Sequence, residues 1–345
     1  MPAASQVLEM IRSHVADDDV RFRTAVLQMA ANEARQGHAT MAEQMKRLAT
    51  KQRTPKVPLQ AVNSVPFGRP DGELAGLLTM VEPHTGLNSL VLPKVLRGRL
   101  DRVLREQQNF GRLREHGLLP RRRLLLLGPP GCGKTMTAHA LAHDLGLPLY
   151  VVRLDALFTK FLGETAGKLR LVFEAIERQR AVFLFDEFDS LGLARGSQHD
   201  VAEMRRVLNS FLVLIDQMRG HSLILAASNH AEALDPALFR RFDDVLHYHL
   251  PTAPELQEAL QQRLAGQPGI KAFQWSVIVK AAGGLSFADV VRSADDAVKT
   301  RLIEEVPEVR EADLLAALAE RQASHPVQPQ KPKARKSAAK RKAKV

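Results

Sequence analysis

A run of residues near the middle of the chain carries the strongest chemical signal in the sequence. Residues 124–135 read LLLLGPPGCGKT, in which Gly128, Gly133, Lys134 and Thr135 fit the pattern G-x-x-x-x-G-K-[ST]. Glycines in such a loop let backbone N–H groups point at phosphate oxygens, and the N-terminus of the next helix adds partial positive charge. The lysine is expected to reach the β- and γ-phosphates of ATP, and the threonine hydroxyl is expected to bind Mg²⁺.

The whole loop is expected to contact the nucleotide. Its candidate ATP-binding residues are Gly128, Pro129, Pro130, Gly131, Cys132, Gly133, Lys134, Thr135 and Met136. The single cysteine is interpreted as a small filler at a variable position of the loop rather than as a nucleophile or redox switch. A lone cysteine also excludes a disulfide framework and favours a reducing, cytoplasmic location.

Two acids follow an apolar segment about fifty positions after the loop. Asp186 and Glu187 come directly after AVFLF at residues 181–185, which reads as a buried strand. A carboxylate at this point can hold Mg²⁺, usually through water, so Asp186 joins Thr135 as a candidate metal ligand. The next carboxylate can polarise a water for attack on the γ-phosphate, which makes Glu187 the candidate catalytic base.

Strands and helices alternate around these motifs. Apolar strands are predicted near residues 122–127, 149–153, 181–185, 223–227 and 245–250, with helices between them. This alternation predicts an α/β fold with a parallel sheet flanked by helices. Ligands of such sheets bind at the carboxyl ends of the strands, where the glycine loop, the acid pair and Asn229 all fall.

The remaining segments define the predicted domain organisation. Residues 1–52 are expected to form a small helical N-terminal module, 53–86 a Pro/Gly-rich linker, 87–252 the α/β ATPase domain and 253–322 a small all-α lid. The N-terminus has no pattern of a secretory signal, and no apolar run is long enough to span a membrane.

Residues 323–345 are expected to be a disordered basic tail. Eight of the residues from 331 to 345 are Lys or Arg and none is acidic, so removing their charge from the net charge of +11 leaves +3 for the rest of the chain. Such a tail can bind nucleic acid through phosphate neutralisation, or it can act only as a solubilising segment.

Five motifs taken together resemble an AAA-type ATPase of the AAA+ superfamily, with spastin, katanin and bacterial single-ring members as the nearest patterns. The motifs are GPPGCGKT, FLFDE, AASNH, DPALFRRFD and GGLSFADV, and the resemblance covers about residues 87–322. It implies a P-loop NTPase domain followed by a helical lid, ATP and Mg²⁺ as ligands, and assembly of identical chains into a ring, expected to be a hexamer.

The resemblance also implies roles for individual residues. Asn229 matches an amide that places the attacking water, and Arg240 and Arg241 match arginine fingers that reach the γ-phosphate held by the neighbouring subunit. Gly284 and Ala288 match the lid motif near the nucleotide, in which Phe287 stands where the family has glycine. Lys160, Phe161 and Leu162 match the central-pore loop that grips a polypeptide substrate.

The sequence is compatible with three functions. The first is a ring ATPase that remodels or unfolds a protein by pulling with its pore loops. The second is an ATP-driven regulatory switch that controls a separately encoded effector, such as a protease or nuclease in a defence or toxin–antitoxin pair. The third is a nucleic-acid-handling ATPase that uses the basic tail. The aromatic residue of the loop around Phe161 favours the first.

Overall fold

The computed structural model describes residues 72–157, 164–191 and 198–324, together with Pro70 and the isolated helical positions Met29, Ala30, Ala34 and Glu43. The chain divides into two compact units, residues 1–64 and 65–345. The predicted helical module at residues 1–52 lies mostly outside the described residues, and so does the predicted tail.

The larger unit is built on a six-stranded sheet with the order β1-β3-β4-β5-β2-β6. The strands are β1 (Leu78–Val81), β2 (Arg123–Leu127), β3 (Leu149–Val152), β4 (Val182–Phe185), β5 (Leu223–Ser228) and β6 (Asp244–His247). All neighbouring pairs are parallel except β1 with β3, where Leu78 lies opposite Val152 in an antiparallel ladder. The predicted α/β fold is confirmed.

Twelve α-helices occur in the described part of the chain. Eight of them surround the sheet: α1 (Glu73–Leu77), α2 (Lys94–Gln108), α3 (Phe110–Glu115), α4 (Lys134–Leu145), α5 (Leu154–Leu157), α6 (Glu164–Arg178), α7 (Gln198–Gln217) and α8 (Pro236–Phe239). The other four form the lid: α9 (Ala253–Arg263), α10 (Trp275–Ala281), α11 (Phe287–Ile303) and α12 (Glu311–Ser324).

Alternation along the strands divides the core into two layers. Leu125 and Leu127 of β2 pack in one cluster with Phe173 and Phe211 from α6 and α7. Leu124 and its alternate neighbours pack in the other cluster, with α2 and α4. Successive side chains of a strand point to opposite faces, so continuous apolar strands require helices on both sides of the sheet. The lid has its own apolar cluster, which includes Leu260, Ile278 and Leu314.

The segment expected to be a linker contributes to the sheet. Residues 73–81 form α1 and the edge strand β1, so the linker boundaries of 53–86 do not hold over this range. Strand β1 is short and pairs antiparallel with β3, which lies far away in the sequence. A four-residue strand is too short to show a sustained alternation of apolar and polar residues. It is stabilised by pairing with β3 and not by its local pattern, so the sequence alone did not reveal it.

Among the described residues, no helix is both long enough and apolar enough to cross a membrane.

Candidate functional site

The glycine loop leaves strand β2 and enters helix α4, as the motif requires. Strand β2 ends at Leu127 and the helix begins at Lys134. Gly133, at the N-cap of that helix, has a φ of 93°, a left-handed conformation that a side chain would disfavour. The helix therefore starts directly behind the loop, with its free N–H groups facing the space in which phosphates would lie.

Lys134 is buried and satisfied by oxygen atoms around it. Its Nζ atom donates to the carbonyl oxygens of Gly128 and Pro129 at 2.7 and 2.8 Å and to Oδ1 of Asn229 at 2.8 Å. Burial lowers the pKa of the ammonium group, an effect opposed by the negative charge of groups that include Asp186. The lysine thus joins the loop to the end of β5, where Asn229 follows Ser228.

Thr135 and Asp186 lie together at the carboxyl ends of the strands. The threonine Oγ1 donates to Oδ2 of Asp186 at 2.7 Å. The backbone N–H of Glu187 donates to the other carboxylate oxygen, Oδ1, at 2.9 Å. The hydroxyl and carboxylate oxygens are the hard ligands that Mg²⁺ prefers, so the residues present fit a magnesium ion at this position.

Glu187 has an uncommon backbone conformation. Its φ is 51°, in the left-handed region that non-glycine residues rarely adopt. Such conformations cost of order 1–3 kcal/mol and persist only where the surroundings impose them. Here the strand before it and the hydrogen bond to Asp186 fix the turn, which turns the chain sharply just after β4.

Asn229 is held through its backbone as well as its side chain. Its N–H donates to Oδ1 of Asp189 at 3.1 Å, and Asp189 is itself buried at 8% exposure. The acid thus orients the turn after β5, and the amide oxygen of Asn229 remains available to Lys134. Sequence reasoning did not identify Asp189, although it belongs to the same DEFD segment as the two candidate acids.

These residues surround a cavity of about 850 Å³ between the sheet and the lid. One wall is the glycine loop from Pro130 to Met136, and a second contains Asp186, Glu187 and Asn229. A volume of this order accommodates a ligand of nucleotide size.

The only cysteine lies buried within the glycine loop. Burial of Cys132 raises the pKa of its thiol, so the thiol stays protonated. A protonated thiol agrees with the interpretation of this residue as a small filler and not as a nucleophile.

The lid contacts the glycine loop directly. The backbone N–H of Ala288 donates to the carbonyl of Gly131 at 3.1 Å. A Cβ atom at Gly131 would overlap the hydroxyl of Ser286, which caps helix α11 together with Asp289. Of the predicted lid contacts, Ala288 lines the cavity, whereas Gly284 does not.

The far end of the cavity has walls that the motifs did not indicate. One comes from the segment before α2, residues 85 and 89–92, and another from helix α9. Phe287 and Val291 of helix α11 complete it. These residues are mostly apolar and are scattered in the sequence, so no motif connects them. Phe287 alone could have been noticed, because it stands where the family motif has glycine.

The two candidate arginine fingers lie outside this cavity, just after helix α8. Arg241 is partly buried, and its Nε donates to Oδ2 of Asp216 at 2.9 Å while its Nη1 donates to the carbonyl of Ala237 at 2.9 Å. Arg240 is exposed. Neither side chain lines the cavity of its own chain. The candidate pore-loop residues Lys160, Phe161 and Leu162 lie outside the described residues.

Comparison with known proteins places this architecture in a family. The family model described as "ATPase family associated with various cellular activities (AAA)" matches residues 124–250. A protein of Sinorhizobium fredii, "Uncharacterized AAA family ATPase y4kL", is 35% identical over 90% of this chain and 92% of its own length.

More distant relatives are larger proteins. "ATP-dependent zinc metalloprotease FtsH" of Mycoplasmopsis synoviae is 34% identical over 55% of this chain, which spans 30% of that protein. "ATPase family gene 2 protein homolog A" of Homo sapiens is 36% identical over 53% of this chain, which spans 21% of it. With one relative similar over nearly its full length and the family model matching the sheet, the chain belongs to the AAA family of nucleotide-binding ATPases.

Proposed function

We propose that this ATPase uses Mg²⁺, works as a ring of identical subunits, and remodels or unfolds a protein substrate. The observation that carries the catalytic part of the proposal is the contact between Thr135 and Asp186 at 2.7 Å, with Glu187 next in the chain and Lys134 beside it. These groups lie on one cavity, at the strand ends where ligands of parallel sheets bind.

Each of these residues has a task in hydrolysis. Lys134 binds the β- and γ-phosphates after exchanging its present oxygen acceptors for theirs. Thr135 and Asp186 hold the magnesium ion, which when bound neutralises the charge of the phosphate oxygens. Glu187 accepts a proton from the attacking water, and Asn229 orients that water from the opposite side of the site. The left-handed turn after β4 keeps Glu187 at the strand end, where its exposed side chain lines the cavity.

The position of the arginine pair supports a ring. Both residues follow α8, and neither lines the cavity of its own chain. A guanidinium that stabilises the charge on a transferring phosphoryl group must therefore act on the cavity of another subunit. Arg240, which is exposed, is the residue that we assign to this contact. Arg241 is held by Asp216 and positions the segment.

The protein substrate is inferred from the sequence and from relatives. Residues 160–162, Lys-Phe-Leu, join α5 to α6 and carry an aromatic that can grip an extended polypeptide without reading its sequence. One relative is by its name an ATP-dependent zinc metalloprotease, an enzyme whose activity on proteins depends on ATP. This chain spans under a third of that relative, and the proposal extends only to the ATPase part.

The deciding experiment measures ATPase rate against protein concentration for the wild type and Phe161→Ala, with and without an unfolded model protein. A cooperative rise with concentration is expected, because active sites are shared between subunits. Unfolded protein should stimulate the wild type and leave Phe161→Ala unaffected. Phe158→Ala, in the same segment, is the matched control for loss of an aromatic residue.

Other outcomes would redirect the proposal. A rate proportional to concentration at all concentrations contradicts the shared active site. Hydrolysis that rises cooperatively but ignores unfolded protein in every variant contradicts substrate pulling and favours the regulatory switch, in which the ring controls a separate effector.

A further inference from the structure

A row of basic side chains lies at the amino ends of three neighbouring strands, on the side of the sheet away from the candidate nucleotide cavity. Arg180 precedes β4, His221 precedes β5 and Arg122 precedes β2. These three strands are neighbours in the order β4-β5-β2. Adjacent strands are about 4.8 Å apart, so residues at their amino ends form a continuous row.

Two members of this row, His221 and Arg180, lie against the ring of Phe110. The ring of His221 lies 4.6 Å from that of Phe110 on α3, and the guanidinium carbon of Arg180 lies 5.9 Å from the Phe110 ring. Arg114, exposed on the same short helix, is close enough to act electrostatically on the histidine. Three arginines and a histidine therefore surround one small region.

Several nitrogen atoms in this region are buried without a partner. In the described part of the chain, Nε of Arg122, Nε of Arg180 and Nδ1 of His221 are enclosed and make no hydrogen bond. Arg122 is only 8% exposed, and its Nη1 donates to the carbonyl of Gly220. Arg180 donates from Nη2 to the carbonyl of Gln107 at 2.9 Å. Buried polar groups in native proteins are nearly always paired, so each of these atoms requires an explanation.

Nearby acids do not supply the missing negative charge. The ion pairs described at this edge use the flanking arginines, Arg121 with Glu106 and Arg123 with Asp243. Asp243 attracts Arg122, but its oxygens accept from the backbone N–H groups of residues 122 and 123 and from the Arg123 guanidinium. An excess of buried positive charge is costly unless a counter-charge is bound.

We infer that the row Arg180–His221–Arg122, with Arg114 at its rim, is a binding site for a small oxyanion of the phosphate or carboxylate class. A small ion fits better than a macromolecule because Arg122 is only 8% exposed and Nδ1 of His221 is enclosed. Guanidinium groups offer planar pairs of donors that match such oxyanions. The same strands end at the candidate nucleotide site, so the new site and that site occupy opposite ends of β2, β4 and β5.

The test uses inorganic phosphate and the full chain saturated with ADP, so that the glycine loop is already filled. Melting temperature is followed during a phosphate titration at constant ionic strength, maintained with KCl. We expect phosphate to raise the melting temperature of the wild type. Arg180→Gln should weaken the phosphate affinity by ~10–100-fold, the effect of losing one charge-assisted hydrogen bond. Arg178→Gln, an exposed neighbour paired with Glu174, is the matched control and should respond as the wild type does.

A second variant and a second probe keep the test decisive. Arg114→Gln, at an exposed position, should weaken phosphate binding even if Arg180→Gln does not fold. Acetate in a parallel titration tells the two oxyanion classes apart: a response to phosphate alone assigns the phosphate class, and a response to both admits carboxylates. No rise in the wild type with either anion, or an equal rise in all variants, overturns the inference. ADP binding is measured separately, so its failure would count against the nucleotide site and not against this one.

Discussion

The ammonium group of Lys134 lies 2.8 Å from the amide oxygen of Asn229, and this contact links the glycine loop to the end of β5. The lysine has two further acceptors in the loop itself, so it is fully hydrogen-bonded before any phosphate arrives. Nucleotide binding must exchange these bonds for bonds to phosphate. Under the proposed function, this exchange releases Asn229 to contact the attacking water, and so connects occupation of the loop with preparation of the attacking group.

Replacing Asn229 by Ala should therefore slow hydrolysis more than it weakens binding. We expect kcat to fall ~10²-fold, the scale of losing one preorganised hydrogen-bonding group, while ATP affinity changes little. Steady-state kinetics and nucleotide titration measure the two effects. His230→Ala, at the next and exposed position, is the control and should retain activity. A large loss of ATP affinity with unchanged kcat would assign Asn229 to binding alone.

Glu187→Gln should bind ATP but hydrolyse it ~10²–10⁴-fold more slowly, because the amide cannot accept the proton of the attacking water. The substitution retains the shape of the side chain, so the unusual backbone conformation is equally strained in both proteins. Single-turnover hydrolysis and ATP binding are the measurements. Glu174→Gln, at a partly exposed acid on α6 that pairs with Arg178, provides the control. Turnover near the wild-type rate would remove Glu187 from its proposed role.

Arg240→Ala should reduce turnover of the assembled protein ~10³-fold or more while leaving the melting temperature unchanged, because its side chain is exposed and is proposed to act on the neighbouring active site. Mixing with Lys134→Ala subunits should partly restore activity, since these provide the missing arginine next to an intact site. Absence of rescue would contradict action between subunits.

Asp216→Asn tests the other arginine of the pair. It removes the charge that holds Arg241 at 2.9 Å, and because this pair is substantially exposed the change in stability should stay below about 1 kcal/mol. Turnover should fall less than in Arg240→Ala. A loss as large as that of Arg240→Ala would make Arg241 the more important of the two.

Acidification should destabilise the protein through two histidines. Burial and the charges of Arg122, Arg114 and Arg180 lower the pKa of His221, and burial followed by His84 lowers the pKa of His139. The unfolded chain binds these protons near pH 6.5 but the folded chain does so only at lower pH. Stability is therefore lost as the pH falls from about 6.5 toward the folded pKa values.

The midpoint of urea unfolding, measured between pH 7.5 and 5.5, checks this pH dependence. His221→Gln should make the decline shallower, and His116→Gln, at an exposed position, should not alter it. An identical decline in the His221 variant would show that other groups cause it.

Removing residues 325–345 should leave ATP hydrolysis intact and weaken any binding of the protein to DNA. The deleted segment contains eight basic residues, all within 331–345. If all of them contact phosphates, the slope of log affinity against log salt concentration should fall in magnitude by up to about 7. Titrations of full-length and shortened protein at several salt concentrations give both slopes. Equal slopes would exclude the tail from DNA binding.

The sequence was sufficient to predict the parts of the site that lie in one contiguous stretch or directly after an apolar strand. The glycine loop needs fixed residue types at fixed spacing, and β2 and β4 are buried on both faces, so their apolar runs are evident. These two facts together predict that Lys134 and Asp186 meet at one edge of the sheet.

The parts that the sequence did not predict depend on contacts between distant segments. Strand β1 is stabilised by pairing with β3, and the far wall of the cavity combines the segment before α2 with two lid helices. Apolar residues such as Leu90 and Val291 have no chemical pattern that distinguishes a cavity wall from a core. The unpaired atoms of Arg122 and His221 likewise become evident only when strand order brings them side by side.

The approach of Ser286 to Gly131 has a consequence for how this protein can vary. The lid helix can approach the loop this closely only because Gly131 has no side chain, since a Cβ atom there would overlap the Ser286 hydroxyl. Alanine at that position would bring its methyl group against Ser286 and Ala288, and it would have to adopt the left-handed φ of 73° that the glycine has there, so the substitution would strain the loop and press the lid helix away from it. Substitution at this position of the loop is thus limited by the backbone conformation and by a lid residue more than 150 positions away in the sequence. A smaller residue in place of Ser286 would relieve the contact with the lid but not the backbone strain.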